Sequence, residues 1–275
     1  MIIPNVEKIT ENLKTEKLGR YIVSVEETDS TNSLAKDLAK DGHEHGTLII
    51  CARQTKGRGR CGRAWQSDST GSLCMSVILR PKCKSELISR YIPAIAVGVV
   101  RALYNMGVDA QIKWPNDILV NGKKLCGILT ESAFCGDACS YVICGIGVNV
   151  NNHFESTDDM YLTQADPAGI SDYRLTAISI RDVLGKDTER EYVAAILLNE
   201  LEAALSCCAS DDAYRELLEE YAEYSCVLGH NAVLHNGTTC INGFADRLDD
   251  MGRIVMITDN GEICVDVGDL SLRTV

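Results

Sequence analysis

The chain has 275 residues, of which 45% are hydrophobic and 24% are charged, and its formal net charge at pH 7 is −12. This composition is typical of a soluble globular protein with a proper apolar core, and the acidity argues against DNA or an anionic membrane as the main partner. We find no apolar run near the ~20 residues that span a bilayer, and no signal peptide at the N-terminus. A cytoplasmic protein is therefore expected.

The 13 cysteines are scattered and mostly stand in apolar runs, Cys264 among them. No Cys-x-x-Cys pair occurs, so neither a zinc site nor a dithiol redox site is predicted. Cys135 and Cys139 come nearest to a ligand pair, but no second pair accompanies them. We expect buried, reduced thiols and no protein-bound structural metal.

The N-terminal part of the chain predicts strands and helices from the apolar periodicity of its segments. Only one short helix is predicted ahead of the main fold, which is not enough chain for a three-helix DNA-binding domain. The predicted elements are a helix at 7–18 closed by Gly19, a strand at 21–26, a helix ending at Gly42, strands at 47–53 and 72–79, and a long helix at 85–107.

The remainder predicts a hairpin at Asn121-Gly122 and a core strand whose Gly145 and Gly147 permit close backbone approach. The elements predicted here are strands at 118–120, 123–131 and 141–150, an irregular loop at 151–173, helices at 188–207 and 211–223, and short strands after 224. The expected fold class is α/β (α+β), with a mixed sheet backed by helices in residues 1–224 and a small SH3-like β-barrel in residues 225–275.

The stretch QTKGRGRCGRAW, residues 54–65, holds three glycines and four cations within an acidic protein. Glycine lets the backbone approach a ligand, and the cations bring donors to where an anion would sit. Trp65 can stack on a base or cover the site. A solvated basic loop and a nucleic-acid patch are alternatives, but a site for a small phosphate or carboxylate is favoured. These residues are Gly57, Gly59, Gly62, Lys56, Arg58, Arg60 and Arg63.

Two further places each allow two interpretations. Ser30 and Thr31 either cap the helix that follows them or present hydroxyl groups to a ligand at a strand-to-helix turn. Lys124 begins an apolar strand, where it is either an edge-strand charge or a partly buried cation that faces an acid.

Five motifs occur in one order along the chain: DSTN at 29–32, the GRGR loop with Trp65, KWPND at 113–117, KLCG at 124–127 and GIGVN at 145–149. Together with the C-terminal β region they resemble the biotin protein ligases, over roughly residues 20–275. The resemblance implies a class II synthetase-like catalytic domain followed by a small β domain. Without an N-terminal helix-turn-helix, a monofunctional ligase is expected.

The resemblance also implies the reaction. The carboxylate of biotin attacks the α-phosphate of ATP, with Mg²⁺ on the phosphates, to give biotinyl-5′-AMP and pyrophosphate. A lysine of a biotin carboxyl carrier protein or domain then attacks the acyl carbon and releases AMP. Residues 57–66 are expected to be mobile without ligand and ordered over the adenylate, which keeps water out.

Site roles are carried over motif by motif. Arg58, Arg60 and Lys124 would stabilise the reacting anions, and Asp117 is a candidate for orienting the metal or the carrier lysine. Trp65 would cover the intermediate. The residues assigned to the biotin pocket are Ser30, Thr31, Asn32, Gln54 and Lys124, those assigned to the nucleotide are Asn116, Asn149 and Arg273, and Gly57, Gly59, Lys113 and Gly127 complete the binding set.

The chain departs from the family pattern at Cys126, where alanine is usual, at Cys74, where an aromatic is frequent, and after Ser67, where a proline often follows. These changes concern packing of the pocket. Three other functions stay open: a lipoate or octanoate transferase of related fold, a biotin-responsive transcriptional repressor, and a catalytically dead biotin binder. A homodimer through the sheet edge is possible.

Overall fold

The computed structural model describes residues 3–67, 71–154, 177–236, 239–265 and 269–272. The helices are α1 Val6–Glu11, α2 Thr31–Lys40, α3 Tyr91–Asn105, α4 Ile180–Leu184, α5 Arg190–Ser206 and α6 Asp211–Tyr224. Short 3-10 turns lie at Arg60–Gly62, Ser85–Arg90 and Cys207–Ala209. The strands are β1 Ile22–Thr28, β2 Leu48–Gln54, β3 Ser72–Leu79, β4 Gln111–Lys113, β5 Asp117–Val120, β6 Lys123–Cys135, β7 Ala138–Asn149, β8 His230–Asn236, β9 Thr239–Leu248, β10 Ile254–Thr258, β11 Gly261–Val265 and β12 Asp269–Leu272.

The larger sheet has seven strands in the order β1-β2-β3-β7-β6-β5-β4. Strands β1 and β2 run parallel and the other neighbours run antiparallel, which confirms the predicted mixed sheet. Because side chains alternate along a strand, each strand buries one set on either face. One face packs against α3 and α5, and the other carries α2 over Ile49, Ile78 and Ile143. The part of this second face beyond α2 is left for the site.

Two predicted helices have different bounds in the structure. The helix predicted at 7–18 ends at Glu11, because backbone N–H groups further on donate instead to the Asn199 and Glu202 side chains of α5. The helix predicted at 85–107 begins as a 3-10 turn, and α3 starts only at Tyr91. This start places Pro93 in the first turn, where its missing N–H costs no hydrogen bond.

The predicted hairpin is confirmed, since Asn121 and Gly122 have φ values of 51° and 75°. The small C-terminal sheet is antiparallel, with the order β11-β10-β9-β8-β12. Closure of this sheet into an SH3-like barrel and a domain boundary after residue 224 stay predictions.

Contrary to the expectation from sequence, two helical segments, Ser85–Asn105 and Arg190–Ala209, are long and apolar enough in composition to cross a membrane. In the structure α3 and α5 pack against each other and supply much of the main core, including Ile95, Val99 and Leu198. This position accounts for their apolar composition.

The cysteines are unpaired, as predicted, but not all are buried. Cys51, Cys74, Cys126, Cys139, Cys144 and Cys208 are buried, whereas Cys61, Cys135, Cys240 and Cys264 are exposed. Cys264 belongs to the edge strand β11, where alternate side chains face away from the small core. The apolar residues next to Cys264 in the sequence therefore do not show that its thiol is buried.

Candidate active site

A trough runs across the second face of the larger sheet, where the floor is made of small residues. Cys74 of β3, Gly147 of β7 and Gly127 of β6 lie in register, and Gly145 lies one row further along beside Ser76. We call Cys74, Gly127, Gly145 and Gly147 the trough floor. A Cβ atom on Gly147 would lie 2.4 Å from the Trp65 indole, and one on Gly145 would lie 2.1 Å from Asn32 Oδ1. The glycines are therefore needed for an indole and an amide to lie directly on the sheet.

The N-terminus of α2 forms a polar wall at one end of the trough. Gln54 Oε1 accepts hydrogen bonds from the Thr31 amide at 2.8 Å and the Thr31 hydroxyl at 3.2 Å. The Ser76 hydroxyl lies 2.7 Å from Thr31 Oγ1 and 2.6 Å from Asn32 Oδ1. We refer to Thr31, Asn32, Gln54 and Ser76 as the polar wall.

Ser30 occupies the N-cap position of α2, but among the described residues its side chain makes no capping hydrogen bond. Its amide instead donates to Asp29 Oδ1 at 2.6 Å. The capping interpretation is therefore wrong for the Ser30 hydroxyl, and Ser30 lies buried beside the polar wall.

Residues 54–65, which contain the GRGR motif and are called the glycine-arginine loop below, fold back on themselves between β2 and β3. Arg58 and Ala64 form an isolated bridge, and the Trp65 amide donates to the Gly57 carbonyl at 3.0 Å. A Cβ atom at Gly57 would lie 2.2 Å from the Trp65 carbonyl oxygen, so only glycine allows this crossing. The fold of the loop brings the Trp65 side chain back over the trough floor.

The loop arginines reach different parts of the site. Arg58 Nη2 lies 3.3 Å from Glu131 Oε2, beside the polar wall. Arg60 Nη1 donates to Asn116 Oδ1 at 3.0 Å, beside the KWPND turn. The two loop arginines thus lie in different parts of the site, Arg58 near the polar wall and Arg60 near the KWPND motif.

Lys124 is the third cation of the site. Its Nζ lies 2.6 Å from Asp117 Oδ1 and 5.8 Å from the centroid of the Trp65 ring. Both members of the ion pair are largely buried, so Lys124 is a partly buried cation that faces an acid and not an edge-strand charge. A cation in this position can attract an anion that enters beneath the indole.

Two thiols give the trough an apolar lining under Trp65. Cys51 and Cys74 are Cα partners across β2 and β3 and pack with the indole. Burial raises the pKa of Cys74 to about 11 and raises that of Cys51 still further. Both thiols are therefore neutral at pH 7, and Cys74 packs as a small apolar residue.

The chain is similar in sequence and in structure to known ligases. Residues 24–149 match the profile of the Biotin/lipoate A/B protein ligase family. The biotin–[acetyl-CoA-carboxylase] ligase of Mycobacterium tuberculosis is 28% identical over 258 residues, 91% of this chain and 88% of that protein. The structure of the biotin protein ligase from Aquifex aeolicus in complex with biotin and ATP has a TM-score of 0.73 at 27% identity, covering 93% of this chain and all of that one. Residues 24–149 thus resemble the biotin/lipoate protein ligase family, and nearly the whole chain is similar to biotin protein ligases.

The bifunctional ligase/repressor BirA of Bacillus spizizenii is more similar over a shorter stretch. It is 40% identical over 148 residues, which are 54% of this chain and 46% of that protein. The chain thus spans about half the length of the Bacillus relatives that it matches. The resemblance to biotin protein ligases inferred from the five motifs is confirmed.

Most residues that the family motifs predicted for the site lie around the trough. Gly127 is in its floor, Asn116 is bonded to Arg60, and Gly59 donates its amide to the Arg63 carbonyl at 2.8 Å. Lys113 on β4 is paired in register with Asp117. Asn149 is fully buried, and its side-chain Nδ2 donates to the Lys124 carbonyl at 3.3 Å. Arg273 lies outside the described residues, so its predicted role in nucleotide binding stays a prediction.

The described part of the chain contains no group of three His, Cys, Asp or Glu residues that could hold a metal ion. Asp117, the candidate for orienting a metal, forms an ion pair with Lys124. The described residues thus do not form a protein cage for Mg²⁺, which commonly binds through substrate phosphates and few carboxylates.

Three residues at the polar end of the trough were not predicted as site residues, namely Lys36, Ser76 and Glu131. Ser76 joins the polar wall, and Glu131 accepts hydrogen bonds from Asn32, Lys36 and Arg58. Burial alone would raise the pKa of Glu131, but hydrogen bonds from Lys36 and Asn32 and the nearby positive charges hold it below its ordinary value. A signal was present: Ser76 is a polar residue in an apolar strand, and Glu131 stands four residues beyond Gly127 on the same strand face.

Proposed function

We propose that this protein is an ATP-dependent ligase that activates biotin as biotinyl-5′-AMP and transfers it to a lysine of a biotin carboxyl carrier protein or domain. The observation that carries the proposal is the arrangement of Arg58, Arg60 and Lys124 around a trough floored by glycine and closed by Trp65. Three cations serve a reaction in which a carboxylate must approach a polyphosphate.

In the first step a carboxylate oxygen of biotin forms a bond to the α-phosphorus of ATP, and the bond to the β-phosphate oxygen breaks to release pyrophosphate. Lys124 would exchange its Asp117 partner for the biotin carboxylate, while Arg58 and Arg60 would meet the phosphates. The polar wall would bind the ureido head with Ser30 beside it, and Asn116 and Asn149 would help to hold the nucleotide. Mg²⁺ would arrive on the ATP phosphates, which supply most of its ligands.

In the second step the carrier lysine nitrogen forms an amide bond to the acyl carbon, and AMP leaves with the bonding electron pair. An acyl-adenylate hydrolyses unless water is excluded. Trp65 is 9% exposed and lies on the trough floor, where it would cover the intermediate. Ordering of residues 57–66 over the bound adenylate remains part of the proposal.

We place the enzyme in the cytoplasm and expect neither DNA nor a membrane as a partner. The net charge of −12 supports the expectation about partners, because phosphate backbones and anionic surfaces repel an acidic protein. A gel-shift with the operator region of biotin genes tests the repressor alternative, and a sedimentation run tests the possible homodimer.

The test is biotin-dependent exchange of labelled pyrophosphate into ATP, with lipoate and octanoate assayed in parallel. The variant is Arg58→Ala. Arg53→Ala is the matched control, because Arg53 lies on the preceding strand β2, one residue before its end, in an exposed ion pair with Glu27. We expect exchange with biotin alone, a loss of about 10²-fold in Arg58→Ala, and unchanged exchange in Arg53→Ala.

Exchange with lipoate or octanoate instead of biotin would keep the mechanism and overturn the substrate. No exchange with any acid, despite tight biotin binding, would leave a binding protein and refute the ligase. Transfer is tested separately by mass spectrometry of a purified carrier domain, which should gain one biotinyl group at its lysine.

A further inference from the structure

Glu131 stands at the polar end of the trough, on the same face of β6 as Gly127. Its carboxylate accepts hydrogen bonds from Asn32 Nδ2 at 2.9 Å, from Arg58 Nη2 at 3.3 Å, and from Lys36 Nζ. Its side chain is only 23% exposed. The reaction described above uses none of these contacts.

The Glu131 carboxylate and the Leu129 carbonyl together determine which way the Asn32 side-chain amide points. An ionised carboxylate accepts hydrogen bonds and cannot donate them, so Asn32 must turn its NH₂ group toward Glu131. The same NH₂ group lies 3.2 Å from the Leu129 carbonyl, which is also an acceptor. Asn32 Oδ1 is therefore left facing the Ser76 hydroxyl at 2.6 Å.

This orientation is passed to Ser76 in the polar wall. Ser76 has one proton, which lies between two acceptors, Asn32 Oδ1 and Thr31 Oγ1. The Thr31 hydroxyl keeps its own proton for Gln54 Oε1 at 3.2 Å. Gln54 then turns its NH₂ group toward the loop, next to Gly57. The Glu131 carboxylate thus acts on the Asn32 and Ser76 end of the wall, while the Thr31 backbone N–H fixes the Gln54 end.

We propose that Glu131 is a positioning residue, which holds the NH₂ group of Asn32 and so sets the donor and acceptor directions at the Asn32 and Ser76 end of the polar wall. This inference rests on the proposed function, because the wall is assigned there to the ureido head of biotin. A ureido group has two N–H donors and one carbonyl acceptor in fixed places, so a wall with the reverse directions would bind it poorly.

The test is Glu131→Gln, which keeps the shape and removes the charge, so that the Asn32 amide can turn round. Biotin affinity is measured by calorimetry, and KM and kcat by pyrophosphate exchange. We expect Kd and KM for biotin to rise about tenfold with kcat within about twofold, because binding and not chemistry is affected. Glu131→Asp keeps the charge and should recover part of the affinity.

Glu220→Gln is the matched control. Glu220 pairs with Arg101 away from the trough, and the side-chain exposures in that pair, 28% and 23%, equal those of Lys36 and Glu131. Its biotin affinity should match the wild type. A structural role of Glu131 alone would instead lower the melting temperature of both variants and leave both Kd values unchanged.

A double-mutant cycle with Ser76→Ala tests the route of the effect. If Glu131 acts through Asn32 and Ser76, the double variant should lose little more affinity than the weaker-binding single variant. Additive losses, a Kd of Glu131→Gln within about twofold of wild type, or an equal loss in Glu220→Gln would overturn the proposal. If the wild type binds biotin without pyrophosphate exchange, the ligase function fails while the binding arm still decides the role of Glu131. Absence of biotin binding refutes both.

Discussion

Replacing Gly147 with alanine would place a methyl group where the Trp65 indole lies. The new carbon would be 2.4 Å from Cε2 and 2.7 Å from Cζ2 and Nε1 of the ring. Carbon atoms in contact pack at about 3.5–4.0 Å, so the indole must move by roughly 1 Å or more. Because Gly147 belongs to a strand paired on both sides, the backbone cannot move away instead.

Overpacking of this size costs about 1–3 kcal/mol. If the reaction requires the indole on the trough floor, the same energy corresponds to a loss of about 5- to 150-fold in kcat/KM for biotin. Trp65 should also meet more water. Its fluorescence emission should shift to longer wavelength, measured after subtracting the emission of Trp65→Phe, since the chain has only two tryptophans.

The control is the double variant Gly147→Ala with Trp65→Phe, in which the smaller ring leaves room for the methyl group. We expect it to be no worse than Trp65→Phe alone, because the two changes act on one contact. Pyrophosphate exchange and emission of Gly147→Ala that both match the wild type would refute the placement of Trp65 on the trough floor.

Three more predictions follow from the same geometry. Lys124→Met should lower kcat/KM for biotin by about 10²-fold and also lower the melting temperature, because Asp117 is left largely buried without its cation; pyrophosphate exchange and calorimetry measure both. The lowered pKa of Glu131 means that its contribution to stability is present above its ordinary value of 4.5 and is lost as the pH falls through the lower folded-state value. The difference in unfolding free energy between wild type and Glu131→Gln should therefore shrink below about pH 4.5 in urea titrations, and a difference that grows there would contradict the assignment. Cys61 should react rapidly with iodoacetamide at pH 8 while Cys74 reacts only after unfolding, as peptide mass spectrometry can show, since one thiol is exposed and the other is buried with a pKa of about 11.

Much of the architecture could be predicted from sequence because it depends on local patterns. Strands β2 and β3 lie within a residue or two of the predicted ranges, since continuous apolar runs between polar turns have few other solutions. The hairpin at Asn121 and Gly122 was predictable because both residues tolerate positive φ. Helix α1 was not, because its end depends on α5, about 185 residues further along the chain.

In the candidate site, too, some features could be predicted from the sequence and others depend on the fold. The chain alone marked the glycine-arginine loop, Lys124 and the GIGVN strand, because those residue types are unusual where they stand. Only the fold decided that Lys124 faces Asp117, that Ser30 does not cap α2 with its hydroxyl, and that Glu131 completes the polar wall. Arg58 and Glu131 are 73 residues apart in sequence, and Asn32 and Glu131 are 99 apart. Pairings of this kind follow from strand order and register, which bring distant segments onto one face of the sheet, and no local pattern in the chain encodes which side chains then meet.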